Sequence, residues 1–270
     1  MAERTVGLLH PGEMGAAVGA VLRGQGHRVV WASEGRSEET RERAKAAGLE
    51  DVGSVSNVAE ADAVFSICPP HAALDVARSA SFAGVYVDAN AVSPATAAKV
   101  ADAVDECVDG GIVGSPPREP ATTRLYLSGE RAEDVAALFT GSVLDARVVS
   151  NASAVKMAYA AWTKGTAAML LAIRELARRD GVEETLLAEW DLSLPELRER
   201  HARALLSAEA KGWRWVGEME EIARTFAGAG LPDGFHTAAA EVYARLPQGL
   251  QPGDDELLDR LLDRLVVSGS

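Results

Sequence analysis

Two places in this chain carry residue types that could do chemistry. The first is His10-Pro11-Gly12-Glu13-Met14-Gly15-Ala16-Ala17-Val18-Gly19, which follows the apolar run Thr5-Val6-Gly7-Leu8-Leu9. A glycine-rich turn between a buried strand and a helix lets backbone approach a diphosphate and aims free helix N–H groups at it. Gly12 would allow that approach, and Gly15 would let the helix pack close to the strand. His10 stands where the dinucleotide-binding pattern has its first glycine. The second place is Lys156, which lies among Val155, Met157, Ala158 and Ala160 with no acid within one turn. Desolvation lowers a lysine's pKa towards the range where it passes a proton at neutral pH. The same surroundings also fit a lysine that snorkels out of a buried helix.

The loop Ser33-Glu34-Gly35-Arg36-Ser37 ends the second apolar run, where such domains choose between NAD and NADP. Arg36, flanked by the Ser33 and Ser37 hydroxyls, favours the 2′-phosphate of NADP, whereas Glu34 argues for the ribose hydroxyl of NAD. His10, Pro11, Gly12, Glu13 and Met14 would line the diphosphate. Asn90 lies just past a strand's carboxyl end, the edge where ligands bind, although an Asn in a turn also has ordinary turn chemistry. At about 100° per residue, Lys156, Ala160 and Thr163 share one helix face, Tyr159 borders it and Lys164 lies further round. Tyr159 is either a hydroxyl donor or an amphipathic core residue. Glu218, Glu220 and Glu221 read as a solvated face.

The elements that must hold these residues fall into two halves. Over residues 1–150, short apolar runs (5–9, 27–32, 63–68, 85–88, 111–114, 125–127 and 148–149) alternate with Ala-rich amphipathic stretches. That alternation predicts a Rossmann-type α/β domain with a doubly wound parallel sheet. Over residues 151–270 the strand signals vanish. A long helix over 154–179 is predicted, then helices over 196–209, 217–229, 237–246 and 254–266, giving an all-α second domain.

Composition narrows the partners. At 270 residues the chain is long enough for two domains, and a net charge of −13 disfavours nucleic acid and anionic membrane. No apolar run is long enough to span a bilayer, and the first residues lack the regions of a signal peptide. Cys68 and Cys107 are too few for a disulfide framework, and the five histidines form no ligand-spaced pair, so no metal is expected. A cytoplasmic protein with a small-molecule partner is the resulting expectation. A Gly-x-Ser-x-Gly nucleophile elbow is absent from the sequence.

With these residues assembled, the chain resembles the β-hydroxyacid dehydrogenase and 6-phosphogluconate dehydrogenase superfamily, imine reductases included. The resemblance covers nearly the whole length. It rests on Gly7-Leu8-Leu9-His10-Pro11-Gly12-Glu13-Met14-Gly15, Pro69-Pro70, Asp88-Ala89-Asn90 and Asp109-Gly110-Gly111-Ile112-Val113-Gly114-Ser115. In the second half it rests on residues 153–166 and 213–221, similar to a branch with a phosphogluconate-dehydrogenase-like helical domain. The resemblance implies hydride transfer between NADP(H), favoured over NAD, and a small polar hydroxy acid or carbonyl substrate held between the domains. It makes Lys156 the general acid and base, with Tyr159 beside it. Cys68, Pro69 and Pro70 join the cofactor contacts, Ser115, Lys164 and His236 the substrate contacts, and the long helix a homodimer seam. The family's Asn one turn after the lysine is replaced by Tyr159 and Ala160. Its later Lys–acid pair corresponds to Glu220-Glu221, without the lysine. Reduction of C=N is the alternative, and a non-catalytic dinucleotide-binding sensor or a methyltransferase are further ones.

Overall fold

A computed structural model describes residues 3–246 of the chain; the helix expected over 254–266 lies outside them. The first part runs β1 (Thr5–Leu8), α1 (Glu13–Gly24), β2 (Arg28–Trp31), α2 (Glu38–Ala46), β3 (Glu50–Asp51), α3 (Val55–Val58) and β4 (Ala63–Ser66). A single 3-10 turn, Pro70–Ala72, leads into α4 (Ala73–Ala77), β5 (Val85–Asp88), α5 (Pro94–Ala101), β6 (Cys107–Gly114), β7 (Thr123–Ser128), α6 (Ala132–Ala137) and β8 (Leu144–Val148). Four helices follow: α7 (Ala152–Arg179), α8 (Glu183–Ser193), α9 (Glu196–Gly228) and α10 (Gly234–Arg245). The chain separates into two compact units, one ending at Met157 and the other beginning at Ala158, so that α7 belongs to both.

In the first unit the strands form one sheet in the order β3-β2-β1-β4-β5-β6-β7-β8. Their apolar runs are continuous because both faces are covered. Val6, Leu8, Phe65 and Val87 enter one buried cluster, while Leu9, Val64 and Tyr86, on the alternate faces of the same strands, enter another. Full burial of one such leucine or phenylalanine contributes roughly 1.5–3 kcal/mol. The sheet is mostly parallel, as the sequence pattern predicts, but β7 runs antiparallel to β6, which the pattern does not foresee. The short connection over residues 115–122 carries no crossover helix, and a parallel return needs one.

Chain order reverses direction between β1 and β4, which pair directly. In open α/β sheets the crevice outside the strand carboxyl ends at such a switch point is the ligand site. Residues 10–14 leave β1 there, and residues 68–70 leave β4 there.

In the second unit, the helices expected over 196–209 and 217–229 are one continuous α9. Gly212 does not break it. A Cβ at Gly212 would lie 3.1 Å from Leu246 Cδ1 and 3.6 Å from Tyr243 Cδ1, so this glycine admits the α10 side chains against the helix. Tyr243, Met219, Ile222 and Leu171 are fully buried here. Among the described residues no helix is long and apolar enough to cross a membrane.

Candidate active site

The turn after β1 has the properties of a diphosphate cradle. Gly12 is the residue before α1, in extended conformation, and no side chain caps the helix. Gly12 has no side chain to offer the first N–H groups of α1, and a helix N-terminus of this kind is suited to receive an anion. A Cβ built on Gly12 would meet nothing within 4 Å, whereas one on Gly15 would lie 2.3 Å from the His10 carbonyl oxygen. Gly12 keeps space open, and Gly15 lets helix and turn touch. Pro11 is buried, Met14 packs against the core and Glu13 is exposed at the first turn. His10 has its pKa lowered to about 4 by burial and then by the neighbouring Arg36, so it stands neutral in the turn, with Nδ1 buried and unpartnered.

Three arginines brace this turn and the loop after β2. Arg36 donates to the Leu9 carbonyl at 3.2 Å, and its Nε is buried without a partner. Arg41 donates to the Ser33 carbonyl at 2.9 Å, and Arg43 reaches the Pro11 carbonyl at 3.5 Å. Arg36 stands out in the sequence by its flanking serines, whereas Arg41 and Arg43 do not. Their signal is a run of cations, Arg41, Arg43 and Lys45, on the helix directly after the loop. The two serines of the expected phosphate cradle have other partners. Ser37 caps α2, accepting from Thr40 N at 3.3 Å. Ser33 binds Asp51, whose carboxyl is held below its usual range by the Ser33 side chain and by the Gly53 and Ser33 N–H groups. Glu34 is exposed.

At the ends of β4 and β5, Asn90 is 2% exposed and joins three segments. Its Oδ1 accepts from Cys68 N at 2.6 Å, and its Nδ2 donates to Ser66 Oγ at 3.0 Å and to Asp88 Oδ1. This buried carboxamide sets the path of Cys68-Pro69-Pro70. Burial pushes the Cys68 thiol up to about 11, so it is an unreactive group at neutral pH.

Lys156 lies one turn into α7. Its Nζ donates to the Ile112 carbonyl at 2.8 Å. A Cβ on Gly111 would come within 2.8 Å of Lys156 Cβ, so the absent side chain at Gly111 admits the helix against β6. β5 ends at Asp88, opposite Asp109, and β6 continues to Gly114. Ile112 therefore sits in the part of β6 that overhangs the carboxyl end of β5. Lys156 is bonded to the same carboxyl edge of the sheet that carries the Gly12 turn, Cys68 and Asn90. Ser115 is exposed just past β6, its carbonyl accepting from Thr123 Oγ1.

In the second unit Tyr159 is 48% exposed. Lys164, expected to contact substrate, pairs with Glu218 and lies over the Trp215 ring at 5.5 Å, with the Tyr243 hydroxyl donating to its carbonyl at 2.6 Å. Of the three acids expected to form a solvated face, Glu220 is exposed, whereas Glu218 is held by Lys164 and Glu221 is 4% exposed and paired with Arg224. His236 packs on Phe226 with ring centroids 4.3 Å apart and lies beside Gly165; burial lowers its pKa.

A family model described as a domain of unknown function, DUF1932, matches residues 177–246. A curated 28.5 kDa protein of Methanothermus fervidus is 34% identical over 162 residues, 57% of this chain and 63% of that one. The match therefore spans under two thirds of that relative. The solved structure of the conserved protein MTH1747, described as structurally similar to 3-hydroxyacid dehydrogenases, is 30% identical with a TM-score of 0.66. That alignment covers 96% of this chain and 97% of the other. The chain belongs to the β-hydroxyacid dehydrogenase and 6-phosphogluconate dehydrogenase superfamily.

Two less similar proteins share the fold. The 3-hydroxyisobutyrate dehydrogenase of Mycobacterium tuberculosis, solved with L-serine, is 19% identical over 90% of this chain and 93% of its own, with a TM-score of 0.65. The reductive aminase of Aspergillus terreus, solved with NADPH and ethyl levulinate, is 17% identical over 90% of this chain and 93% of its own, with a TM-score of 0.56. The second unit carries a partly buried ion pair between α7 and α9. The lysine that partners an acid of α9 is Lys164 on α7, and the acid is Glu218. Neither was legible as a pair, since 54 residues separate them.

Proposed function

We propose that this protein is an NADP(H)-dependent oxidoreductase that moves a hydride between the nicotinamide and a small polar hydroxy acid or carbonyl compound, with Lys156 as the proton donor and acceptor. The observation that carries the reading is the Lys156 Nζ bond to the Ile112 carbonyl, which ties the lysine to the carboxyl edge of the sheet. One donor of the ammonium group is spent on orientation. In the reducing direction Lys156 gives a proton to the oxygen that becomes an alkoxide, and in oxidation it takes that proton back. Bound NADPH supplies the hydride. Residues 10–14 suit its diphosphate, since a Cβ at Gly12 would fill open space there. Asn90 holds residues 68–70 at the neighbouring strand end, and Ser115 follows the overhanging part of β6.

NADP is favoured over NAD because Arg36, Arg41 and Arg43 converge on the loops after β1 and β2, while Asp51 is engaged with Ser33. A second reading, reduction of C=N, is favoured by Tyr159 and Ala160, which replace the amide side chain the superfamily uses with hydroxy acids. Residues 1–150 bind the dinucleotide in this reading, and the helical half from residue 151 serves substrate and a second copy. Tyr159, Trp162, Met169, Ile173 and Leu176 are exposed at heptad spacing along α7, a stripe suited to a homodimer. A cytoplasmic enzyme fits the two free cysteines. Melting the protein with NADPH, NADH and S-adenosylmethionine tests the cofactor, because a ligand of the native state raises the melting temperature. NADPH should stabilise most; stabilisation by S-adenosylmethionine alone overturns the reading.

A further inference from the structure

We propose that Asp109 is a positioning residue for Lys156, acting through the first turn of α7; the proposal rests on the reading of Lys156 as the proton donor. A helix begins with N–H groups that lack intrahelical acceptors. In α7, successive N–H groups are met by three side chains, two of them from the sheet. Ala152 N donates to Ser128 Oγ at 2.9 Å, Ser153 N to Asp109 Oδ2 at 2.8 Å and Ala154 N to Asn151 Oδ1 at 2.8 Å. The Ser128 hydroxyl donates to the same Asp109 oxygen at 3.1 Å.

Asp109 and Ser128 are directly opposed across the antiparallel β6–β7 pair, so the register of the sheet sets their spacing. A carboxylate at this end of a 28-residue helix also meets the positive pole of its dipole. The consequence for Lys156 is positional. Asp109 and Ser128 set the height and rotation of the first turn, and Lys156 is three residues beyond Ser153. Gly111, two residues along β6 from Asp109, leaves room for Lys156 Cβ, and Ile112 accepts from Nζ. Helix start, Cβ and ammonium are all referred to one strand. A proton donor misplaced by an ångström loses about 100-fold in rate, so such referencing is worth having.

The test reads the lysine itself and needs no substrate. Full-length wild type, Asp109→Ala, Asp109→Asn and Ser128→Ala are treated with trace acetic anhydride. Acylation of Lys156 is quantified by mass spectrometry, with exposed Lys99 as internal reference, alongside amide hydrogen exchange over residues 152–156. Asp109→Ala should change the Lys156 rate about fivefold or more with Lys99 unmoved, and deprotect the first turn. Asp109→Asn keeps an acceptor for Ser153 N and Ser128 Oγ and should stay near wild type. Ser128→Ala, a smaller lesion, keeps the test usable if Asp109→Ala does not fold. On whichever substrate wild type turns over, Asp109→Ala should lose about 100-fold in kcat with the NADPH KM unchanged. An unchanged Lys156 rate in folded Asp109→Ala and in Ser128→Ala overturns the proposal, as does a wild-type kcat in Asp109→Ala. Failure to turn over any substrate would instead sink the functional reading and leave the acylation result standing.

Discussion

Arg36 links the loop after β2 to the turn after β1, donating to Leu9 while its Nε remains buried and unpartnered. Its removal should cost NADPH a charge-assisted contact and loosen the turn that receives the diphosphate. Arg36→Ala is expected to weaken NADPH binding roughly 10- to 100-fold and NADH binding much less, read by fluorescence titration. Equal loss for both cofactors would show that Arg36 only braces the loop. At this scale the sequence was readable where chemistry demands a residue type. Lys156 stood out for its apolar neighbours, and Gly12 and Gly15 for their place between strand and helix. Ser33, Ser37 and Lys164 were less readable, because a residue's type does not disclose whether a helix cap or an ion pair has already engaged it.

The two glycines of the β1–α1 connection separate folding from binding. Gly15→Ala places a methyl group 2.3 Å from the His10 carbonyl oxygen, so it should destabilise the protein by about 1–3 kcal/mol in denaturant unfolding. Gly12→Ala meets nothing within 4 Å and should leave unfolding almost unchanged while weakening NADPH binding, because the methyl fills the space the diphosphate needs. A Gly12→Ala protein that binds NADPH normally would place the cofactor elsewhere. Element boundaries followed from pattern where runs were long: the strands at 5–8 and 85–88 and the long α7 lie where periodicity puts them. The pattern failed at β3, two exposed residues whose strand character comes from pairing with β2, and between 209 and 217, where two helices were expected and one continuous α9 runs with Gly212 as a contact.

For the whole molecule, acid should be destabilising well above the carboxylate range. His10 and His201 have pKa values lowered to about 4, largely by burial, and that of His236 is lowered too. His201 is 2% exposed, and its Nδ1 accepts from Arg174 at 3.0 Å, so a proton there would set two cations together. A base whose pKa is depressed in the fold binds protons first in the unfolded chain. For His10 and His201 the stability contributed is complete above about pH 6.5 and is lost as the pH falls towards 4, at up to ~1.4 kcal/mol per pH unit for each. The melting temperature should fall between pH 7 and pH 5, and less in His201→Gln; a flat profile would contradict the buried neutral state. Assembly is readable on the same scale. Trp162→Glu in the α7 stripe should convert a dimer to monomer in light scattering, and a wild-type monomer at micromolar concentration would remove the dimer from the account. The proposed role of Lys156 is to pass the proton in a nicotinamide-dependent reduction. It is tested most directly by following the nicotinamide absorbance as wild type and Lys156→Ala meet NADPH and a panel of small carbonyl compounds and imines. Wild type should turn over at least one compound, and Lys156→Ala should show a roughly 10²- to 10⁴-fold lower kcat with NADPH affinity retained. Tight NADPH binding without turnover of any compound, or equal rates in the two proteins, would contradict it.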